Sequence, residues 1–249
     1  MRRWKGVLLG VVAYLLFLVG TAPAARILPF ANLEGVQFSG VDGSIWFGSA
    51  DTVTAPPLQL QQVQWRFHPL SLITGRAEAT VVALLLGKPL SARLGTSLFG
   101  SRYLADVNAT VVAAELTRWL RLQGQVSVAG DLAVDLDSVQ WPEGEIPQIT
   151  GKADWTTAQV DAPLELSLGT VQLDVEAEDG VTRGKLSSSG GALRVDADVE
   201  LAPDGVYRMD ARIQQTGEVP EAVVQFLSTL AEFRDGTYLL EWEDRLPGY

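Results

Sequence analysis

The sequence predicts a mainly β protein: a curved antiparallel sheet running as a meander, with one C-terminal amphipathic helix and one N-terminal transmembrane helix. Three observations carry this. Hydrophobic residues past position 30 recur with a period of two, turn dipeptides punctuate them at short intervals, and the N-terminus holds an uncharged apolar run.

That run, Gly6 to Ala25, has no charge for 20 residues. As a helix it rises about 30 Å at 1.5 Å per residue, the hydrocarbon thickness of a bilayer. Arg2, Arg3 and Lys5 precede it and Trp4 sits at an interfacial position. The positive-inside rule therefore holds residues 1–5 in the cytoplasm, makes 6–25 a single-pass anchor and sends the remainder across. Ala22-Pro23-Ala24 offers the rival reading of a cleaved signal peptide, and in either case the body is exported.

In the body, Leu122 to Leu136 alternates apolar and polar residues over one long bent strand or two joined near Gly130, a ribbon with one face of each kind. The pattern returns at Val171 to Ala177, Leu193 to Leu201 and Tyr207 to Ile213, and upstream at Val63, Trp65 and Phe67. Asp179-Gly180, Gly190-Gly191 and Asp204-Gly205 lie between them as turn signals, so consecutive strands are expected to pair. Residues 219–233 change period: Val223, Phe226, Leu227, Leu230 and Phe233 fall on one helical face, before Asp235-Gly236 and a last strand, Thr237 to Trp242. Leu116, Trp119 and Leu120 suggest a shorter helix over 113–121. Pro142 and Pro147, flanking Glu143 and Glu145, mark a boundary between two similar β-rich halves, 26–145 and 146–249.

Charge and composition exclude several functions. Without Arg2, Arg3 and Lys5 the 19 basic side chains fall to 16 against 30 acidic ones, a net −14 that repels a phosphate backbone and disfavours nucleic-acid binding. There is no cysteine and a single histidine, His68, so thiolate chemistry and His- or Cys-rich metal centres are absent, and no cofactor or metal is expected. The carboxylate pairs Asp135/Asp137, Glu176/Glu178 and Asp196/Asp198/Glu200 fall on polar strand faces, where solubility accounts for them. No nucleophile elbow or phosphate-binding loop accompanies His68. The suggestive side chains are tryptophans: Trp46, Trp65, Trp155 and Trp242 lie in or beside strands, as core or as an apolar groove or partner surface. With about two helices to cover a one-sided sheet, the apolar face either closes on itself or is left for a ligand.

The order of features then resembles a known family. Behind the anchor come Gly40-Val41-Asp42-Gly43-Ser44-Ile45-Trp46-Phe47-Gly48-Ser49-Ala50, then Trp65-Arg66-Phe67-His68-Pro69-Leu70-Ser71-Leu72 with Gly75-Arg76. Near the end stand Asp204-Gly205-Val206-Tyr207, the helix, and Asp235-Gly236-Thr237-Tyr238. This is similar to protein N of bacterial type II secretion systems, over nearly the whole chain. The resemblance implies a non-enzymatic inner-membrane subunit with a periplasmic β domain, supporting export of folded proteins across the outer membrane of a Gram-negative cell. Its implied partners are other subunits of that apparatus. The competing expectation, from the apolar sheet face, is a periplasmic lipid-binding or lipid-transfer module.

Overall fold

The computed structural model describes residues 20–28, 35–56, 58–97, 100–115, 127–142, 146–162 and 165–246, together with residues 10, 14 and 17. Arg2, Arg3, Lys5 and most of the 6–25 segment lie outside these. Among the described residues no helix is long and apolar enough to cross a membrane. The later part of the 113–121 helix and the first part of the 122–136 strand lie outside them too; Ala113 to Glu115 are helical.

Alternation in the sequence becomes one 15-stranded sheet. After a short helix α1 (Ala24–Ile27), β1 (Gln37–Ser39), β2 (Asp42–Gly43), β3 (Phe47–Ala55) and β4 (Leu58–Phe67) lead through a 3-10 turn, Pro69–Thr74, into β5 (Arg76–Leu85). Then come β6 (Lys88–Ser97), β7 (Arg102–Val112), β8 (Ser127–Trp141), β9 (Gln148–Ala162) and β10 (Leu166–Glu178). The rest are β11 (Val181–Gly190), β12 (Leu193–Leu201), β13 (Val206–Gln215), helix α2 (Glu221–Leu230), β14 (Glu232–Arg234) and β15 (Thr237–Arg245). From β3 to β13 each strand pairs antiparallel with the next, β15 follows β13, and β1 and β14 are short edge strands. The Pro142–Pro147 stretch links β8 to β9, which pair from Gln140↔Gln148 to Ser127↔Ala162.

Local chemistry explains the hairpins. Leu86-Gly87, Asp179-Gly180 and Asp235-Gly236 each place two successive residues at positive φ, the two-residue turn whose twist matches the flanking strands. Asp235-Gly236 therefore joins β14 to β15 and does not simply end the helix. The predicted helix over 219–233 is shorter, Glu221–Leu230, because Ala231 is extended and Phe233 crosses to stack on Tyr238 at 4.7 Å. Three further non-glycine residues at positive φ, Gln62, Asp106 and Thr157, sit at or opposite breaks in register. Each is a bulge that bends its strand and raises the local twist.

Register collects the apolar residues on one face. Across ten strands a single row reads Ala83, Leu90, Ala109, Val134, Ala153, Leu173, Leu186, Ala197, Ala211, Leu240, each directly opposite the next. Helix α2 covers one end of this face. Its Leu227 packs with Leu193, Ile213 and Tyr238, bordered by Leu166, Val195, Val219 and Val223. Ser188, buried at the edge of that cluster, uses its hydroxyl to accept the Val195 N–H (2.8 Å) where direct pairing of β11 with β12 stops. Since Leu227 is 8% exposed, Leu227→Ala is expected to cost about 2–3 kcal/mol, read as a lower denaturant midpoint at unchanged slope.

Candidate functional site

The polar face is a lattice of charges in register. One row runs Glu176, Arg183, Glu200, Arg208, Glu243 with signs alternating strand by strand. Arg183 lies 3.6 Å from Glu178 and 3.9 Å from Glu200, while Arg208 closes on Glu243 at 2.5 Å. Asp135, Asp137, Glu176 and Glu178 line a shallow groove beside Lys152, Arg183 and Lys185. Cross-strand pairs of opposite sign favour this register over its neighbours, and Asp135 opposite Lys152, Glu176 opposite Arg183 and Glu178 beside Arg183 are accounted for by pairing. Among the described residues no three His, Asp or Glu side chains converge as a metal cage. His68 Nε2 is 2.8 Å from Thr80 Oγ1, a contact that fixes the ring at the start of the 3-10 turn.

The apolar face is different in kind. Its alanines are mostly buried, but Leu90, Val134, Leu173, Leu186 and Leu240 in the central row are only half-buried, and no large side chain is fully buried among the described residues. A second row, Val175, Gly184, Val199, Met209, Trp242, runs beside it. A single-layer sheet with one helix over one end of its apolar side leaves the rest of that side partly wet.

The four tryptophans do not gather into one pocket. Trp65, Trp155 and Trp242 stand on β4, β9 and β15, five strands apart in the sheet order. Trp46 precedes β3 and stacks edge-on against Phe67 at 5.2 Å. Two of them share a device that sequence reading missed. Trp65 lies across its partner Gly48, and a Cβ at Gly48 would come within 2.5 Å of its ring. Its indole N–H donates to the Ser44 carbonyl at 3.2 Å. Trp155 lies over Gly130 in the same way and donates to the Ala129 carbonyl at 3.0 Å. Each ring fills the space a glycine leaves and satisfies its one polar group on the backbone. Trp242 is 43% exposed, opposite Met209 and 3.3 Å from the Tyr207 hydroxyl.

A third glycine is covered by Tyr103, opposite Gly95, with the Arg76 guanidinium 5.8 Å from the ring centre. The Tyr103 hydroxyl donates to Glu78. Burial pushes the phenol above its ordinary value of 10.0, and the Glu78 hydrogen bond and charge push the same way, against Arg76. Because the folded state favours the neutral phenol, this contribution to stability is complete below pH 10 and is lost as pH rises through the higher folded value. The phenolate absorbance of the native chain minus that of Tyr103→Phe is expected to titrate above 10, and Glu78→Gln to bring it down. A Tyr103 midpoint at or below that of free tyrosine contradicts the assignment.

The family model described as type II secretion system (T2SS), protein N, matches residues 34–240, from the approach to β1 through the first half of β15. The chain belongs to the type II secretion system protein N family. A relative from Vibrio cholerae named type II secretion system protein N is 26% identical over 234 residues, 91% of each chain. A relative of the same name from Aeromonas hydrophila is 26% identical over 95% of this chain and 96% of its own. A third, from Pectobacterium carotovorum, is 21% identical over 99% and 100%. No solved structure matches the chain. The matched region takes in the meander from β1 through the first half of β15.

Proposed function

We propose that this chain is a non-enzymatic inner-membrane subunit of the type II secretion apparatus that supports export of folded proteins across the outer membrane. Residues 6–25 anchor it, with Arg2, Arg3 and Lys5 on the cytoplasmic side and residues 26–249 in the periplasm. The half-exposed apolar rows, with Trp46, Trp65, Trp155 and Trp242 at intervals along the sheet, are the surface that meets other subunits. The observation that carries this reading is the family match over residues 34–240, which takes in the apolar face from β3 to Leu240. A clean deletion is expected to abolish secretion of the exported enzymes, the full chain to restore it, and the tagged chain to co-purify with other inner-membrane subunits. Normal secretion in the deletion strain together with no co-purification contradicts the proposal.

One observation favours a second reading. The central row keeps five large aliphatic side chains half-buried across the width of the sheet, a surface on which acyl chains could lie. Native mass spectrometry of the chain released from detergent separates the two readings. Retained lipid mass supports a lipid-carrying module, and an empty folded chain supports the subunit surface.

A further inference from the structure

The strand ends farthest from α2 carry a surface unlike the rest of the molecule. At this rim Phe47 faces Arg66, Arg76 begins β5, and Arg102 faces Trp141. Between β4 and β5 the chain makes its 3-10 turn, Pro69-Leu70-Ser71-Leu72-Ile73-Thr74, with no charged residue. Leu70 is 76% exposed, Leu72 45% and Ile73 82%, and Phe47 beside them is 65% exposed. The polar side chains of the turn bond its own backbone: Ser71 Oγ donates to the His68 carbonyl at 2.6 Å and Thr74 Oγ1 to the Ser71 carbonyl at 2.8 Å. Gly75, at φ 74°, closes the turn with its N–H on the Leu72 carbonyl. A tip that satisfies its own hydrogen bonds while presenting three aliphatic side chains is suited to a medium that offers no hydrogen bonds.

Three further features converge here. The last residues of the apolar 6–25 segment lie at this rim: Pro23 bridges to Ser44, and the Ile45 N–H donates to the Ala22 carbonyl at 3.1 Å. Trp46, Phe67, Tyr103 and Trp141 cluster just behind the tip, at the strand ends, as interfacial aromatics do. Arg66, Arg76 and Arg102 stand at the strand ends flanking the tip, with Glu78 among them on the Tyr103 hydroxyl, in a body whose total charge is strongly acidic.

We propose that the β4–β5 tip is a second membrane contact. Leu70, Leu72, Ile73 and Phe47 enter the interface of the bilayer in which the chain is anchored, and Arg66, Arg76 and Arg102 meet anionic phospholipid headgroups. This rests on the anchored reading of residues 6–25. With two points of attachment the sheet cannot swing freely about its anchor, and its strands rise from the membrane with α2 at the far end.

The absence of cysteine makes the test direct. The full chain carrying Ile73→Cys, labelled with an environment-sensitive fluorophore, is reconstituted in phosphatidylethanolamine–phosphatidylglycerol vesicles, with Ser189→Cys at the opposite rim as control. Brominated acyl chains are expected to quench the Ile73 site to about half or less, because apolar residues of an interfacial segment lie roughly 5–10 Å into the headgroup–acyl boundary. The Ser189 site is expected to stay unquenched. Replacing Arg66 and Arg102 together by glutamine is expected to reduce quenching in phosphatidylglycerol vesicles and not in neutral ones. An alkaline carbonate wash reads the anchor independently. A chain that survives the wash while its Ile73 site remains unquenched overturns the tip. A chain that washes off, yet is quenched at Ile73 when added back to vesicles, overturns the anchor and keeps the tip.

Discussion

Gly130→Val is expected to destabilise the sheet by about 3–5 kcal/mol, a large part of the 5–15 kcal/mol typical of a folded domain. The residue sits at φ +112°, where an L side chain is strained, and its Cβ would lie 2.5 Å from the Thr156 carbonyl oxygen and 2.7 Å from Trp155 Nε1. Both neighbours are held. Thr156 and Thr157 form the bulge opposite, and Trp155 is tied to the Ala129 carbonyl. Relief therefore requires breaking the β8–β9 pairing at its bulge. Gly190→Ala is the matched control, since its φ is +78° but nothing stands within 4 Å of the added carbon, so only backbone strain of about 1 kcal/mol is expected. Denaturant unfolding followed by tryptophan fluorescence compares them. Equal midpoints for the two variants contradict the packing account of Trp155.

Leu173→Asp is the second large effect, and here the expected loss is functional. Leu173 stands mid-sheet between Ala153 and Leu186, half-buried on the apolar face. On a face that is open in the free chain, the carboxylate keeps access to water and the sheet still folds. A partner laid over that face would bury the charge. The expected outcome is a soluble, folded exported domain whose capture of other subunits weakens about 30-fold, the loss of one interface hot spot of about 2 kcal/mol, with secretion falling toward the deletion level. A chain that fails to fold shows instead that the face is closed as a core. One that folds and supports full secretion removes the apolar face from the binding surface.

Much of the architecture was legible because its determinants are local. Period-two alternation marked β12 and β13 nearly to their ends, and Asp179-Gly180 marked its hairpin, since both depend on residues a few positions apart. The helix end was misplaced for a physical reason. Phe233 continues the helical spacing of Phe226 and Leu230, but Tyr238 offers it a ring to stack on, and Asp235-Gly236 favours a hairpin over a helix stop. The bulges at Gln62, Asp106 and Thr157 left no signal, because non-glycine residues were held at positive φ by pairing with strands distant in sequence.

The site was legible in chemistry but not in arrangement. Tryptophan in strands suggested an apolar groove, yet Trp65 and Trp155 are first of all lids on Gly48 and Gly130, each more than ten residues away in sequence. Aromatic–glycine pairing across strands needs the register to be known before it can be read. The charge ladder has the same origin: Glu176, Arg183, Glu200, Arg208 and Glu243 alternate only once four hairpins are in place. An acidic total conceals Arg66, Arg76 and Arg102 gathered at one rim.

On the proposed reading, the apolar face is open in the chain alone and covered by other subunits in the assembled apparatus. Thiol labelling of Leu173→Cys in whole cells tests it most directly, because the chain contributes no other cysteine. Rapid labelling is expected in cells that make this chain without the other secretion subunits, and slow labelling when the whole apparatus is made. Equal labelling in the two, whether fast or slow, would contradict it.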